Sequence, residues 1–446
     1  MESKRLQTIL ERARSDGVQF ISLQFSDIFG ALKSVTIPIK RLEDSLTLGT
    51  WFDGSSIEGF ARICESDMLL RPDPDTYSIV PWRPREPGEA RMICDIYRPD
   101  GQPFEGDPRY ILKRAIQRAA EMGFLCNVGP ELEFFLLERD GHQIVPSPHD
   151  PAGYFDQGPR DRALDVRREI TFALEAMGIE AETAHHECAP GQHEIDIRYQ
   201  DALTMADQAL TLKYAVRSIA DRQGLHATFM PKPFFGVNGS GMHVHQSLFD
   251  LQGHNVFFDP NGPYYLSSLA QSFIAGQLEH ARAMSAVLSP TVNSYKRLTP
   301  GYEAPVYICW GQTNRSALIR IPSYSPGREQ SVRAELRCPD PSCNPYLAFA
   351  VMLQAGLEGI ERKLEPPTPV DEDVYSFDDT RLNAQAITTL PGSLGEALQE
   401  MNNDALLHQA LGEHTTTYYL RAKGQEWNAY RIAVTDWEIE RYLELL

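Results

Sequence analysis

One strand-like segment of this chain carries ionisable and hydroxyl groups where a core would be expected. In the segment 242–247, side chains alternate across the strand, so His243, His245 and Ser247 lie on one face and the intervening residues on the other. A lone histidine is usually a satisfied core or surface residue. The functional interpretation is favoured because the same inversion recurs in three further segments.

Carboxylates recur in this way in two segments. Glu131 and Glu133 share one face of a strand that continues with large apolar residues. Further along, a Pro-Gly turn joins two strand-like runs, and counting outward from a four-residue loop places Glu187 opposite Glu194. Like charges directly opposite each other destabilise an antiparallel pair. The pattern therefore predicts a cation between them.

The inward faces of these strands form a ligand set for hard cations. The fourth segment, 332–337, places Glu335 on one face with two arginines. Carboxylates with one imidazole favour Mg²⁺ or Mn²⁺, whereas the Cys and His spacings of zinc sites are absent. Since Mg²⁺ keeps several waters, so many ligands indicate two ions, and paired ions indicate phosphoryl or acyl-phosphate chemistry. The predicted ligands are Glu131, Glu133, Glu187, Glu194, His243 and Glu335.

Three downstream arginines lie beside apolar or small residues rather than in charge runs. Arg297, Arg315 and Arg320 are therefore expected to be partly buried and paired, with an anionic ligand or with protein carboxylates. The glycines of 236–241 would let backbone approach a ligand closely. That segment matches neither a P-loop nor a dinucleotide fingerprint, so metal ions would have to hold nucleotide phosphates.

Five motifs then resemble the signatures of type I glutamine synthetases, in the shorter Gram-positive-like subgroup. They agree in order and spacing, and the resemblance covers essentially the whole chain. The motifs are Phe-Asp-Gly-Ser-Ser-Ile at 52–57, Gly-Pro-Glu-Leu-Glu-Phe-Phe at 129–135, Asn-Gly-Ser-Gly-Met-His at 238–243, Asn-Ser-Tyr-Lys-Arg-Leu at 293–298 and Asn-Pro-Tyr-Leu at 344–347.

The resemblance implies a role for each candidate residue. One metal site would be Glu133, Glu187 and Glu194, and the second Glu131, His243 and Glu335. L-Glutamate would contact Asn238, Gly239, Arg297 and Arg337. ATP or the transferring phosphoryl group would contact Glu182, His245, Ser247, Arg315 and Arg320. The ammonium pocket would be Asp53, Ser56, Tyr154 and Glu187.

The implied reaction is the ATP-dependent ligation of ammonia to L-glutamate. The γ-carboxylate would attack the γ-phosphorus of ATP and give γ-glutamyl phosphate, while Arg315 neutralises charge on the transferring group. Asp53 would deprotonate ammonium, and Glu303 would close the site against water. Two alternatives remain open: a ligase of the same superfamily that uses a polyamine or alkylamine, and a non-catalytic regulatory relative.

The resemblance also bears on assembly and regulation. It implies a homododecamer of two stacked hexameric rings with active sites shared between subunits, and nitrogen-regulatory proteins are further candidate partners. Tyr375 lacks the sequence context of an adenylylated tyrosine, so no adenylylation is predicted. Arg62 matches a residue used for glutamine feedback in relatives of this subgroup, but an ordinary surface arginine is an equally good interpretation.

Composition limits the other classes. With 61 acidic against 42 basic residues and a formal charge of −19, nucleic-acid binding is not expected. Apolar runs are too short for a bilayer, and the first residues lack the apolar core of a signal peptide. Seven cysteines without C-x-x-C pairs indicate reduced thiols in the cytoplasm.

The predicted organisation is an α+β chain of two domains. Leu6, Ile9, Leu10 and Ala13 mark an amphipathic helix, followed by a hairpin around Gly30. Asp107 and Pro108 open a second helix after the turn-rich stretch 99–103, which gives domains 1–103 and 104–446. The resemblance adds a small β-grasp-like first domain and a catalytic domain whose antiparallel sheet forms a funnel wrapped by helices.

Overall fold

The computed structural model describes residues 2–55, 57, 59, 67–84 and 88–446. Its strands are β1 (Val18–Ser26), β2 (Leu32–Pro38), β3 (Thr50–Asp53), β4 (Asp67–Pro72), β5 (Ser78–Ile79), β6 (Gly88–Tyr97), β7 (Phe124–Asp140), β8 (Gln143–Pro148), β9 (Ala181–His186), β10 (Gln192–Ile197), β11 (Gln200–Asp201), β12 (His226–Thr228), β13 (Met242–Asp250), β14 (Tyr307–Gly311), β15 (Ala317–Arg320) and β16 (Ala334–Leu336).

The helices surround these strands and are most frequent after β13. They are α1 (Glu2–Ser15), α2 (Leu42–Leu48), α3 (Pro108–Glu121), α4 (Leu164–Ala176), α5 (Ala202–Arg222), α6 (Ser268–Glu279), α7 (Ala281–Leu288), α8 (Ser294–Arg297), α9 (Pro345–Arg362), α10 (Asp379–Ala384), α11 (Leu394–Asn403), α12 (Ala405–Leu411), α13 (Glu413–Arg431) and α14 (Asp436–Tyr442). Within the described residues, no helix combines the length and apolarity that crossing a membrane requires.

The first sheet has the strand order β2-β1-β6-β4-β3, with β5 paired to β6. The predicted helix and hairpin are confirmed: α1 buries Ile9, Leu10 and Ala13, and β1 and β2 pair antiparallel. Gly30 closes the hairpin with φ 78°, where a Cβ would lie 2.9 Å from the Asn344 Cα. That close approach requires glycine and ties the hairpin to the residue that caps α9.

The second sheet has the order β14-β15-β16-β13-β7-β10-β9, and β7 also pairs with β8, β11 and β12. Its pairs are antiparallel, as expected, except that β14 and β15 run parallel at one edge. The predicted start of α3 is confirmed, since the Asp107 carboxylate accepts the Arg109 N–H at 3.0 Å. The two sheets have separate apolar cores, and the domain boundary at 103 stays a prediction.

A buried histidine joins the helices behind the second sheet. His280 lies between α6 and α7, with Nδ1 2.7 Å from Asp404 and Nε2 2.6 Å from Glu358. Both ring nitrogens face carboxylates, so the imidazolium is the form that satisfies both. Burial opposes that charge, but the hydrogen bonds from Asp404 and Glu358 outweigh it and raise the pKa of His280.

We therefore expect His280→Gln to lower the unfolding free energy in a pH-dependent way. A raised folded-state pKa gives stability that is fully present below the unfolded value, about 6.5, and is lost as pH rises through the folded value. The loss should be about 1.5–3 kcal/mol in acid and smaller in alkali. Denaturation at several pH values measures it. His254→Gln, at an exposed His–Asp pair, is the control; an equal loss at every pH would contradict the ionic role.

Candidate active site

Two glutamates of β7 stand at the centre of the site. In the ladder, Glu131 is paired with His243 of β13 and with Asp196 of β10, and Glu133 is paired with Glu194. The opposite face is fully buried and apolar, with Leu132, Met242 and Val244. The alternation seen in the sequence therefore separates a polar face from the core, as predicted.

The predicted register of the hairpin between β9 and β10 is wrong. The Glu187 N–H donates to the Gln192 carbonyl at 2.8 Å, and His185, not Glu187, lies opposite Glu194. Gly191, with φ 68°, completes the turn, so Gln192 already belongs to β10 rather than to the loop. This moves an imidazole between the two carboxylates that were expected to face each other.

A cavity of about 200 Å³ lies over the polar face of the second sheet. It is lined by all six predicted metal ligands, by the four predicted glutamate contacts and by other charged residues. The lining residues are Glu131, Glu133, Tyr154, Glu187, Gln192, Glu194, Asn238, Gly239, His243, Arg297, Tyr302, Glu303, Ala304, Arg315, Arg320, Glu335 and Arg337.

The first acidic group includes a histidine, beside the cavity, that sequence reasoning missed. His185 Nε2 lies 3.2 Å from Glu194, and its Nδ1 lies 3.6 Å from Glu187. Glu133 is set slightly apart, because its Oε2 accepts the Gln192 side-chain amide at 2.8 Å and a backbone N–H at 3.0 Å. Both additional residues sit in the hairpin whose register was miscounted.

Electrostatics in this group favour a bound cation. Burial raises the pKa of Glu133 and of Glu194 well above the ordinary value, and neighbouring carboxylates raise both further. Burial also raises the pKa of Glu187. Ionised together, the three repel one another, and a divalent cation would remove that cost.

The second group consists of Glu131, His243 and Glu335, whose ligand atoms all lie within 4.8 Å of one another. Burial and the nearby charge of Arg337 lower the pKa of His243 to about 4, which keeps the imidazole neutral. Burial alone would raise the pKa of Glu131, but hydrogen bonds from His243 and His245 hold it well below its usual range. A neutral imidazole with ionised carboxylates is the protonation state that a metal ligand set requires.

Glu335 is fully buried and held from both sides. Arg320 Nε donates to one oxygen at 2.5 Å and Arg337 Nη1 to the other at 2.6 Å. Arg297 is also buried, and it donates to the carbonyls of Cys338 at 2.9 Å and Arg337 at 3.1 Å. These contacts fix the guanidinium groups that line the cavity.

A second cavity of about 380 Å³ shares Glu131 with the first. It contains the remaining predicted nucleotide contacts, Glu182, His245 and Ser247. It also contains Arg333, which was noted in the sequence but given no role; its Nε donates to His245 Nδ1 at 3.1 Å, and His245 Nε2 is 2.7 Å from Glu131. The shared face with Glu335 and Arg337 was the signal that could have identified it.

Of the three remaining predicted residues, the structure describes Asp53. Asp53 ends β3 at the edge of the first sheet, is exposed, and does not line either cavity of the described chain. Its hydrogen bonds with Ser55 lower its pKa, which keeps it ionised. Ser56 and Arg62 fall outside the described residues.

Comparison with known proteins identifies the arrangement. The family model for the glutamine synthetase catalytic domain matches residues 105–442, and the one for the glutamine synthetase β-grasp domain matches 17–99. The chain belongs to the glutamine synthetase family. The match confirms the fold that the motifs predicted. It also confirms the predicted enzyme class, which is ATP-dependent synthesis of glutamine. The amine-ligase and regulatory alternatives are not favoured.

Individual relatives agree with the family over the full chain. The glutamine synthetases of Methanosarcina mazei and Thermus thermophilus are 53% and 54% identical, covering 98% of this chain and 97% and 98% of theirs. Among solved structures, a GmaS–ADP complex has TM-score 0.88 at 33% identity, covering 98% of this chain and 99% of that one. A Plasmodium falciparum glutamine synthetase also has TM-score 0.88, at 25% identity, covering 99% and 98%.

The raised carboxylate pKa values make metal binding by this family member pH-dependent. Bound ligands must be ionised, so protons compete with the metal. In the metal-free protein, a raised pKa gives stability below the unfolded pKa that is lost as pH rises through the folded value. We expect Mn²⁺ to raise the Tm at about pH 8 and progressively less towards about pH 5.

Thermal unfolding with and without Mn²⁺ measures this effect. Glu187→Gln, which removes one of the raised carboxylates, should increase the metal-free Tm at alkaline pH and weaken the Mn²⁺ response. A Mn²⁺ response of equal size at both pH values would show that these carboxylates do not bind the ion.

Proposed function

We propose that the first cavity is the catalytic centre and the second holds the rest of ATP. The observation that carries this proposal is the position of Glu131, which belongs to a three-donor group in one cavity and lines the other. Phosphates entering from the second cavity would meet the metal ligands where the two cavities join.

The donor set fits Mg²⁺ or Mn²⁺, with two ions per site. Glu133, Glu187 and Glu194 would hold one, with His185 beside them, and Glu131, His243 and Glu335 the other. When bound, such ions polarise and neutralise phosphoryl oxygens. The carboxylates of the first group are buried and repel one another, and this repulsion is the structural support for a cation there.

The remaining residues would orient the substrates. Arg297, Arg337, Asn238 and Gly239 suit the carboxylates and amino group of glutamate, because Arg–carboxylate pairs are strong and directional. Arg315 would neutralise charge on the transferring phosphoryl group, while Arg320, Glu182, His245 and Ser247 position ATP. Glutamate's γ-carboxylate then attacks the γ-phosphorus, giving γ-glutamyl phosphate and ADP.

Ammonium would bind beside Tyr154 and Glu187, with Asp53 as base. Glu303 would close the site; it lies in a turn with φ 57°, a conformation that costs about 1–3 kcal/mol for a residue other than glycine and that supports a functional role for this loop. Tyr375 donates its hydroxyl to the Ala304 carbonyl at 2.5 Å beside Glu303, which gives that tyrosine a structural role.

Since Asp53 lies outside its own cavity, we infer that it completes the site of a neighbouring subunit. A head-to-tail ring would provide that contact, and two stacked hexameric rings would give the homododecamer. Division into domains 1–103 and 104–446, and action in the cytoplasm, are part of the same proposal. The six described cysteines are all free, which supports a reducing compartment.

The decisive assay is ADP release with each substrate omitted in turn. Release that requires both glutamate and ammonium, and that stops with EDTA, supports the proposal. Methylamine or putrescine replacing ammonium with equal kcat/KM would instead support the amine-ligase alternative.

Feedback by glutamine is a separate prediction. If Arg62 has the inferred regulatory role, Arg62→Ala should raise the glutamine inhibition constant several-fold without changing kcat. Initial rates at increasing glutamine measure it. An unchanged constant, or no inhibition in the parent enzyme, would contradict the role.

A further inference from the structure

A third cavity, of about 600 Å³, lies away from both proposed substrate sites. It is bounded on one side by β1 and β2 of the first sheet and on the other by α5. Polar side chains from both elements line it, among them Ser22, Gln24, Ser34, Lys213 and Arg217. We call this region the seam cavity.

The sheet face turned towards the seam cavity is polar. Ser22 is paired with Arg91 of β6, and Gln24 with Ser34 of β2, so these side chains share one face. Ser22, Gln24 and Arg91 are each at least 95% buried. A sheet face covered by a helix is normally apolar, so this composition needs a reason other than core packing.

One of the buried cations that lack a carboxylate partner, Lys213, lines this cavity. Among the described buried Arg and Lys residues, four have no carboxylate within 4.0 Å. Two of them, Arg297 and Lys232, are beside the catalytic cavity. The third is Lys213, and the fourth is Arg91, which is paired with Ser22 in the sheet but does not line the seam cavity. Isolated buried charges are strongly unfavourable unless an anion accompanies them.

Hydrogen bonds within the described chain satisfy Arg91 and Lys213 only in part. Arg91 has two nitrogens, Nε and Nη1, that are buried without any hydrogen-bond partner. Among the described residues, Lys213 donates only to the Cys343 carbonyl, at 3.0 Å, and burial lowers its pKa to about 8. Arg217, at the rim, stacks on Phe229 with 5.1 Å to the ring centroid.

The nearby carboxylates are already committed. Asp207 accepts from Arg109 at 2.9 Å and from the Tyr346 hydroxyl at 2.5 Å. Glu89, the acidic residue that lines the cavity, lies 3.5 Å from Arg83. In a protein of formal charge −19, the seam is thus a local excess of positive charge.

We propose that the seam cavity is a binding site for a small dianion, a dicarboxylate or a phosphate, held by Lys213, Arg217 and the hydroxyls of β1 and β2. The site is separate from the catalytic centre. Its occupant would join the first sheet to α5, and Lys213 extends the link to the carbonyl that precedes the α9 cap.

Calorimetric titration of the assembled, nucleotide-free enzyme with succinate and, separately, inorganic phosphate tests the proposal. Arg217→Met removes a charge from the site, and Ser34→Asp introduces an opposing charge at an exposed position. Each variant should raise the dissociation constant of one class of anion sites by about tenfold to a hundredfold, which is the effect of losing one charge-assisted hydrogen bond. Anions bound in the catalytic cavity are unaffected by either change, so the difference isolates the seam.

Two control variants make the same charge changes elsewhere. Arg222→Met lies on α5 but pairs with Glu169, and Thr47→Asp lies on the exposed end of α2. If the seam variants weaken the binding of only succinate or only phosphate, that result identifies the class of anion that the site binds in the cell. Unchanged titrations in both seam variants would overturn the proposal. Dissociation of the Arg217→Met assembly without any effect on anion affinity would also overturn it, because a neighbouring subunit would then supply the counter-charge.

Discussion

Replacing Glu335 by glutamine is expected to reduce glutamine synthesis at least about 10³-fold. The substitution keeps the side chain's size but removes the charge of a proposed metal ligand. Metal stabilisation of transition-state charge is worth several kcal/mol, at about 1.4 kcal/mol per tenfold in rate. It also deprives Arg320 and Arg337 of their shared counter-charge. Initial rates of glutamine and ADP formation, with Mn²⁺ binding measured in parallel, provide the readout.

Loss of folding must be separated from loss of chemistry. Removing one partner of a buried ion pair can destabilise by about 3–5 kcal/mol. The Glu335→Asp variant retains the charge and should recover stability, yet remain slow because the shorter side chain moves the ligand. Glu365→Gln, at an exposed position, is the matched control. A folded Glu335→Gln enzyme with near-normal rate and Mn²⁺ affinity would refute the ligand assignment.

Asp53→Ala should lower synthesis by about 10²-fold to 10⁴-fold, the range for losing a positioned base. Its fold should be unaffected, because within the described chain the exposed carboxylate is hydrogen-bonded to its near neighbour Ser55, whose N–H donates at 2.8 Å. The loss should persist at saturating ammonium. Asp67→Ala, directly across the β3–β4 ladder, provides a control with the same charge change; equal losses in both variants would argue against a specific base.

Mixing two inactive variants tests whether sites are shared. Each homo-oligomer of Asp53→Ala or Glu335→Ala has every site defective. After dissociation and co-assembly in equal amounts, a site that combines the intact parts of both is whole, roughly a quarter of all sites in a head-to-tail ring. Recovery towards that fraction supports shared sites. A co-assembled mixture, verified by mass, with no more activity than its parents would exclude them.

The sequence predicted the site where local rules apply. Alternation correctly placed Glu131, Glu133 and His243 on one polar face, because a strand's period is independent of its partners. The register of the hairpin between β9 and β10 was harder to predict. The turn before Gln192 was placed one residue too late, and a single such shift changes every cross-strand pair. His185 was missed for that reason.

Other features depend on distant parts of the chain. Arg333 gains its role from His245, 88 residues earlier, and no spacing rule links them. The parallel pairing of β14 and β15 is likewise set by the tertiary fold. Motif resemblance supplied the proposed catalytic residues, but it could not reveal the buried Lys213 of the seam cavity, which only burial and missing partners identify.

The long strand β7 also constrains how the protein folds during synthesis. It is complete by residue 140, yet its partners extend to β13, and β13 in turn requires β16, which ends at Leu336. Three quarters of the chain must therefore leave the ribosome before the sheet can close. Until then, the partial sheet presents the unpaired edge of β13 and apolar side chains, the surfaces that chaperones bind and that drive aggregation. We expect slow, chaperone-assisted maturation, limited by these non-local pairings rather than by the first sheet.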